Sequence, residues 1–217
     1  DGAFEQQAAL KLLRPGLDTG EVVRRFERER QILAGLDHPN IARLLDGGAT
    51  ADGHPYLVME YIDGQPIDRW CDAHRLDIGE RIDLLRRVCD AVQHAHQKLV
   101  IHCDLKPSNI LVTANGEPRL LDFGIARLVQ PEAFIADDTA TVQRLLSPDY
   151  ASPEQVRGEP VSTATDVYAL GILLYQLVSG ERPYRLLSLT PQELLRTVCE
   201  QEPPQTTTLL RRTLQQS

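Results

Sequence analysis

The sequence predicts an α+β fold in which strands gather in residues 1–62 and helices dominate residues 63–217. Three observations carry this. Residues 4–13, 41–49 and 55–61 read as strands, and the last two flank Asp52-Gly53, a strong hairpin signal. Residues 22–36 place Val22, Phe26, Leu33 and Leu36 on one face of a helix. Beyond residue 62, Ile82, Leu85, Cys89, Val92 and His96 mark a long amphipathic helix, and residues 167–178 form the most apolar stretch of the chain. That stretch is broken by Gly171 and Gln176 and is too short to span a bilayer, so it reads as a buried core helix.

In chain order, Asp1-Gly2 is itself a hairpin-turn signal, and the strand over residues 4–13 carries Ala9 and Lys11. The helix over residues 22–36 holds Glu29 on its apolar face. A carboxylate pointing inward requires a cation. The 41–49 and 55–61 hairpin follows, and the remainder reads as helical apart from residues 122–154. That interval, with Asp137, Asp138, Thr139 and Thr141, has the character of a mobile loop. No internal repeat, linker or low-complexity tract interrupts the chain.

With 217 residues, 42% hydrophobic and 25% charged, the chain can bury a sizeable core, as one domain of two lobes or as two small ones. The net charge of −8 argues against a nucleic-acid or anionic-membrane surface, either of which needs a basic stripe. Cys71, Cys89, Cys103 and Cys199 form no CxxC pair, so a disulfide or zinc framework is not expected and a reducing cytoplasm fits best. His38, His94, His96 and His102 lack metal-ligand spacing and read as structural.

The run His102-Cys103-Asp104-Leu105-Lys106-Pro107-Ser108-Asn109, followed by Asp122-Phe123-Gly124, carries the chemistry. Phosphoryl transfer from ATP needs a carboxylate to receive the acceptor hydroxyl's proton, a cation near the moving phosphate, and oxygen ligands for Mg²⁺. Asp104 is the candidate base and Lys106 the cation. Asn109 and Asp122 offer a neutral and a charged oxygen to the metal. A duller reading stands beside this one: Asp104 caps a turn and Asn109 bonds a backbone, as Asp and Asn commonly do in loops. Asp122-Phe123-Gly124 weighs against it.

These motifs resemble those of protein kinases, specifically the eukaryotic-like serine/threonine kinases of bacteria, in order from Ala9 to about Pro183. Ala8-Ala9-Leu10-Lys11 is similar to the strand whose lysine grips the ATP α- and β-phosphates, with Glu29 as its partner. His38-Pro39-Asn40 follows. Residues 56–62 resemble the last small-lobe strand running into the adenine-binding hinge, with Met59 as gatekeeper and Glu60 and Ile62 in the hinge. Ser152-Pro153-Glu154 stands where the family has Ala-Pro-Glu, and Asp166 opens the central large-lobe helix. The resemblance implies a two-lobed fold, with a β-rich small lobe and hinge over 1–62 and a helical large lobe over 63–217. It implies ATP and Mg²⁺, with adenine between Ala9 and Leu111, and protein Ser/Thr hydroxyls as acceptors. It further implies a spine of Leu33, Leu44, His102 and Phe123, with His102 packed on Phe123, an activation segment over 122–154, and an Asp166 that anchors the backbone around His102. An ordinary helix N-cap is the alternative for Asp166.

Three departures shape the expectation. No GxGxxG occurs in the chain, and the tail after Pro203-Pro204 closes before the family's last helices, so the chain reads as a fragment truncated at both ends, with membrane attachment only through segments outside it. Arg211 and Arg212 come too early to pair with Glu154, which is expected to lack a cation. Cys103 replaces the arginine that the family uses to read activation-segment phosphate, which implies altered regulation rather than lost catalysis. Ser147 is expected to help hold Asp104 and Lys106. A pseudokinase acting as a binding module and a small-molecule phosphotransferase remain as alternatives.

Overall fold

The computed structural model describes residues 7–12, 30–123, 148–184, 186 and 190–204. Three strands build the small lobe: β1 (Ala8–Leu12), β2 (Leu44–Ala49) and β3 (Pro55–Glu60), in spatial order β1-β3-β2 and antiparallel throughout. The β2–β3 hairpin turns at Gly53, whose φ of +84° is open to glycine and costly for most residues. Ile41, expected inside that strand, instead forms a lone parallel bridge to Leu120. At the sheet edge, Leu10 and Leu12 of β1 are exposed among the described residues.

The large lobe opens with β4 (Gly64–Pro66), α1 (Ile67–Ala73) and α2 (Ile78–Gln97). A 3₁₀ turn at Pro107–Asn109 leads into β5 (Ile110–Thr113) and β6 (Pro118–Leu120). Another, at Pro148–Tyr150, precedes α3 (Pro153–Arg157), α4 (Thr163–Ser179) and α5 (Pro191–Glu200). The expectation that all after residue 62 is helical outside 122–154 is therefore corrected. Strands β4, β5 and β6 form a second antiparallel sheet, with β5 and β6 joined through Asn115-Gly116 and Gly116 at φ +76°.

Capping fixes the helix starts. Asp77 with Glu80 opens α2, Ser152 with Gln155 opens α3, Ser162 with Thr165 opens α4, and Thr190 with Glu193 opens α5, each a reciprocal capping box. Asp166 is thus not the N-cap of α4; Ser162 is. Gly158 and Gly180 close α3 and α4 in the left-handed region.

One hydrophobic core runs through both lobes, from Leu33, Leu36, Ile41 and Leu57 to Leu84, Val88, Val92, Ile110 and Leu173. Helices α2 and α4 pack against each other within it. The buried stripe of α2 is Leu84, Leu85, Val88, Ala91, Val92 and Ala95, rotated from the expected one: Ile82 is 45% exposed, and Cys89 and His96 sit at the boundary. Val167 of α4 likewise faces outward at 62% exposure, while Ala169, Ile172, Leu173 and Leu177 are buried. Val22 and Phe26 lie outside the described residues; Leu33 and Leu36 are buried as expected. Among the described residues no helix is long and apolar enough to cross a membrane.

Candidate active site

The 101–109 loop leaves α2, crosses the front of the core and returns through the 3₁₀ turn into β5. Its backbone is held by one side chain. Asp166, 1% exposed near the start of α4, accepts the N–H of His102 at 2.8 Å and that of Cys103 at 2.9 Å, and pairs with His96 Nε2 at 2.7 Å. Cys103 adopts φ +64°, a conformation a non-glycine residue keeps only when its surroundings impose it. Gln155, buried beside it, donates from Nε2 to the Cys103 carbonyl at 2.8 Å. The capping box of α3 therefore braces the 101–109 loop.

His102 is fully buried, and its ring lies 4.8 Å from that of Phe123, centroid to centroid, as expected. Its Nε2 meets the Leu121 carbonyl at 2.8 Å, and its Nδ1 accepts the Asp104 N–H at 3.3 Å. The pattern requires the neutral tautomer with the proton on Nε2. Burial holds the imidazole below its ordinary value and outweighs the opposing pull of Asp166 and the Leu121 carbonyl. Leu33 and Phe123 share the buried core, and Leu44 packs on it.

Asp104 Oδ2 takes two partners, Lys106 Nζ at 2.8 Å and Asn109 Nδ2 at 3.0 Å. Asn109 also donates from Nδ2 to the Asp104 carbonyl at 2.8 Å, and its own carbonyl accepts the Leu121 N–H at 2.8 Å. With its amide nitrogen committed to Asp104, the side-chain oxygen of Asn109 is left to act as a ligand. Asp122, at φ +55°, sets Oδ1 3.0 Å from Lys11 Nζ, an ammonium–carboxylate pair whose side chains are 33% and 31% exposed. A carboxylate together with a neutral amide oxygen is a donor set suited to a hard divalent cation.

Strand β1 brings Lys11 to Asp122, while the register Ala9 opposite Met59 and Leu44 opposite Met59 sets these side by side at the end of the small sheet. Leu111 lies on β5 opposite Arg119, half-buried like Ala9. Glu60 ends β3, its carboxylate 2.5 Å from the Arg119 guanidinium, and Ile62 follows half-buried. Glu29, Gly124, Asp137, Asp138, Thr139, Thr141, Ser147, Arg211 and Arg212 lie outside the described residues.

Glu154 is not left unsatisfied. Thr165, 1% exposed, donates to its Oε1 at 2.5 Å. Burial pushes the carboxyl up, but hydrogen bonds from Thr165, the backbone and Ser152, together with the Arg157 charge, more than offset it and leave the group below its ordinary value. Nearby, burial raises the Tyr150 hydroxyl to about 12 despite Arg182, so it remains a donor to Gln176 at 2.5 Å. Thr165, Gln155 and Arg119 belong to the site's frame and escaped the sequence reading. Only Gln155 had a signal, the Ser152-x-x-Gln155 capping pattern.

The protein kinase domain family matches residues 3–211. The chain is 37% identical over 186 residues to the serine/threonine-protein kinase PrkC of Bacillus subtilis, covering 85% of this chain and 28% of that protein. It is 37% identical over 184 residues to the serine/threonine-protein kinase pkn2 of Myxococcus xanthus, covering 82% and 22%. To the serine/threonine-protein kinase PknB of Mycobacterium leprae it is 35% identical over 189 residues, covering 85% and 30%. The chain thus spans under a third of the length of these relatives. With the two-lobed α+β fold and a family match over nearly its whole length, the chain belongs to the protein kinase domain family.

Proposed function

We propose that this chain is the catalytic part of a serine/threonine protein kinase that transfers the γ-phosphoryl group of ATP to protein hydroxyls. The observation that carries the reading is the arrangement at Asp104: one carboxylate oxygen is committed to Lys106 and Asn109, leaving the other to take a proton. Asp104 is the base that accepts the acceptor hydroxyl's proton as the oxygen attacks. Lys106, 2.8 Å away, stabilises negative charge on the transferring phosphoryl oxygens and fixes the orientation of Asp104. Lys11, on β1, holds the α- and β-phosphates, with Glu29 as its expected partner. Ala9 and Leu111 enclose adenine, beside Met59, Glu60 and Ile62 at the hinge.

Asn109 and Asp122 would hold Mg²⁺, which when bound neutralises charge on the phosphate oxygens and orients them. The Asp122 carboxylate, held beside Lys11, and the side-chain oxygen of Asn109, whose amide nitrogen is committed to Asp104, support that assignment. Residues 1–62 serve as small lobe and hinge, and 63–217 as large lobe. The names of the relatives support Ser/Thr proteins as acceptors. The cytoplasm is the setting that fits a cysteine set such as Cys71, whose thiol burial raises to about 11, away from disulfide chemistry. Any membrane attachment would come from segments outside this chain. A binding module without catalysis has no need of Lys11, Asp104, Asn109 and Asp122 together.

The test is to supply the full-length protein with γ-labelled ATP, Mg²⁺ and a generic protein acceptor, and to identify the modified residues by mass spectrometry. Phosphoserine and phosphothreonine are expected. Phosphotyrosine alone, or label only on small molecules, would overturn the reading.

A further inference from the structure

One of the side chains most fully tied between the two sheets belongs to none of the sequence motifs. Arg119, on β6 of the large lobe, donates from one Nη to the Pro39 carbonyl at 2.5 Å and from the other to Glu60 Oε2 at 2.5 Å. Both acceptors lie on the small-lobe side. Around it the backbone is stitched as well: Leu120 N–H donates to the Asn40 carbonyl at 2.8 Å, Ala42 N–H to the Leu120 carbonyl at 2.9 Å, and Asn40 Nδ2 to the Pro118 carbonyl at 2.8 Å. Glu60 is fixed from a third side, since its N–H donates to the Arg43 carbonyl at 2.9 Å and its Oε2 accepts the Arg43 N–H at 3.2 Å.

The Arg119 side chain is only 19% exposed, and its Nε is buried with no acceptor among the described residues. A guanidinium with a stranded donor is a poor device for stabilising a fold, because burying an incompletely satisfied charge offsets much of what its contacts return. What a planar fork does well is fix two acceptors relative to each other. Here the two acceptors are the end of β3 and the Pro39 loop that precedes β2, so the direction in which the chain runs from Glu60 through Tyr61 to Ile62 is set by β6.

We propose that Arg119 is a positioning residue for the nucleotide: by clamping Glu60 it holds the hinge in the geometry that adenine meets, so that little ordering remains to be done on binding. The inference rests on the kinase reading above, which places Met59, Glu60 and Ile62 beside adenine. Preorganisation of this kind appears in affinity rather than in the chemical step.

The experiment measures nucleotide affinity by calorimetry with a non-hydrolysable ATP analogue, and KM for ATP, KM for acceptor and kcat by steady-state assay, on the full-length protein. Arg119→Ala is expected to weaken analogue binding and raise KM for ATP by about fivefold, with kcat and acceptor KM within about twofold. Arg119→Lys should recover part of the loss, because a point cation can serve one acceptor but not both. Glu60→Gln should match Arg119→Ala, and the double variant should be no weaker than either single one. Unchanged affinity in Arg119→Ala, single effects that multiply, or a fall in kcat at constant KM would overturn the proposal. If Arg119→Ala does not fold, the comparison of Arg119→Lys with Glu60→Gln decides on the same terms. Parent protein that binds no adenine nucleotide would defeat the kinase reading itself, a result distinct from any of these.

Discussion

Asp166 accepts the backbone N–H of Cys103 at 2.9 Å and thereby holds a cysteine at φ +64°, immediately before the candidate base. The same carboxylate takes the His102 N–H, so two consecutive amides point at one buried side chain. The strained turn and the buried acid belong to one device. Removing the acid strands both amides in a dry interior.

Asp166→Ala should therefore cost about 2–4 kcal/mol of stability, the sum expected for two buried donors left unsatisfied. Phosphotransfer should be lost as the loop relaxes. Denaturant titration with a matched activity assay checks both. A variant of parental stability would mean that other groups hold the loop.

Stability should also fall on acidification. The enclosed His102 sits below its ordinary 6.5, chiefly through burial. Below that pH the unfolded chain binds a proton that the folded one refuses, so stability drops as pH falls through 6.5, by up to about 1.4 kcal/mol per pH unit. His38, lowered by burial and by His94, adds in the same direction. Urea titrations at pH 7.5 and 5.5 measure the drop, and NMR of the His102 ring identifies its source. A ring that titrates at or above 6.5 in the folded protein would refute the burial argument.

Much of this architecture is legible in the sequence for a physical reason. The proposed phosphotransfer needs several particular groups on one short loop, and the candidates Asp104, Lys106 and Asn109 fall within a single readable run. Long helices carry enough turns to display a period, although adjacent Leu84 and Leu85 let the stripe of α2 be read a step off its buried face. Strands β4 and β6 have three residues each, too few for any alternation, and only Asn115-Gly116 betrayed the second sheet. Arg119 and Thr165 carry no local pattern, because their partners Glu60 and Glu154 are brought to them by the fold.

Gly64 offers a separate check on the proposed adenine site. A Cβ there would lie 2.8 Å from the Val112 carbonyl oxygen and 3.2 Å from Leu111 Cβ. Since β4 pairs directly with β5, Gly64→Ala must push the strands apart. A loss of about 1–3 kcal/mol is expected, with weaker nucleotide binding as Leu111 shifts. Thermal unfolding and calorimetry measure the two effects; unchanged affinity in a destabilised variant would remove Leu111 from the adenine site.

The most direct test is the turnover of Asp104→Asn in the full-length protein. Because a general base acts in the transition state, kcat should fall by roughly 10²- to 10⁴-fold while ATP affinity stays close to the parental value. Asparagine preserves the shape of the group and its contact with Asn109, so the loss would report the missing proton acceptor rather than a collapsed loop. Turnover equal to the parent's would take Asp104 out of the chemistry and the proposed mechanism with it.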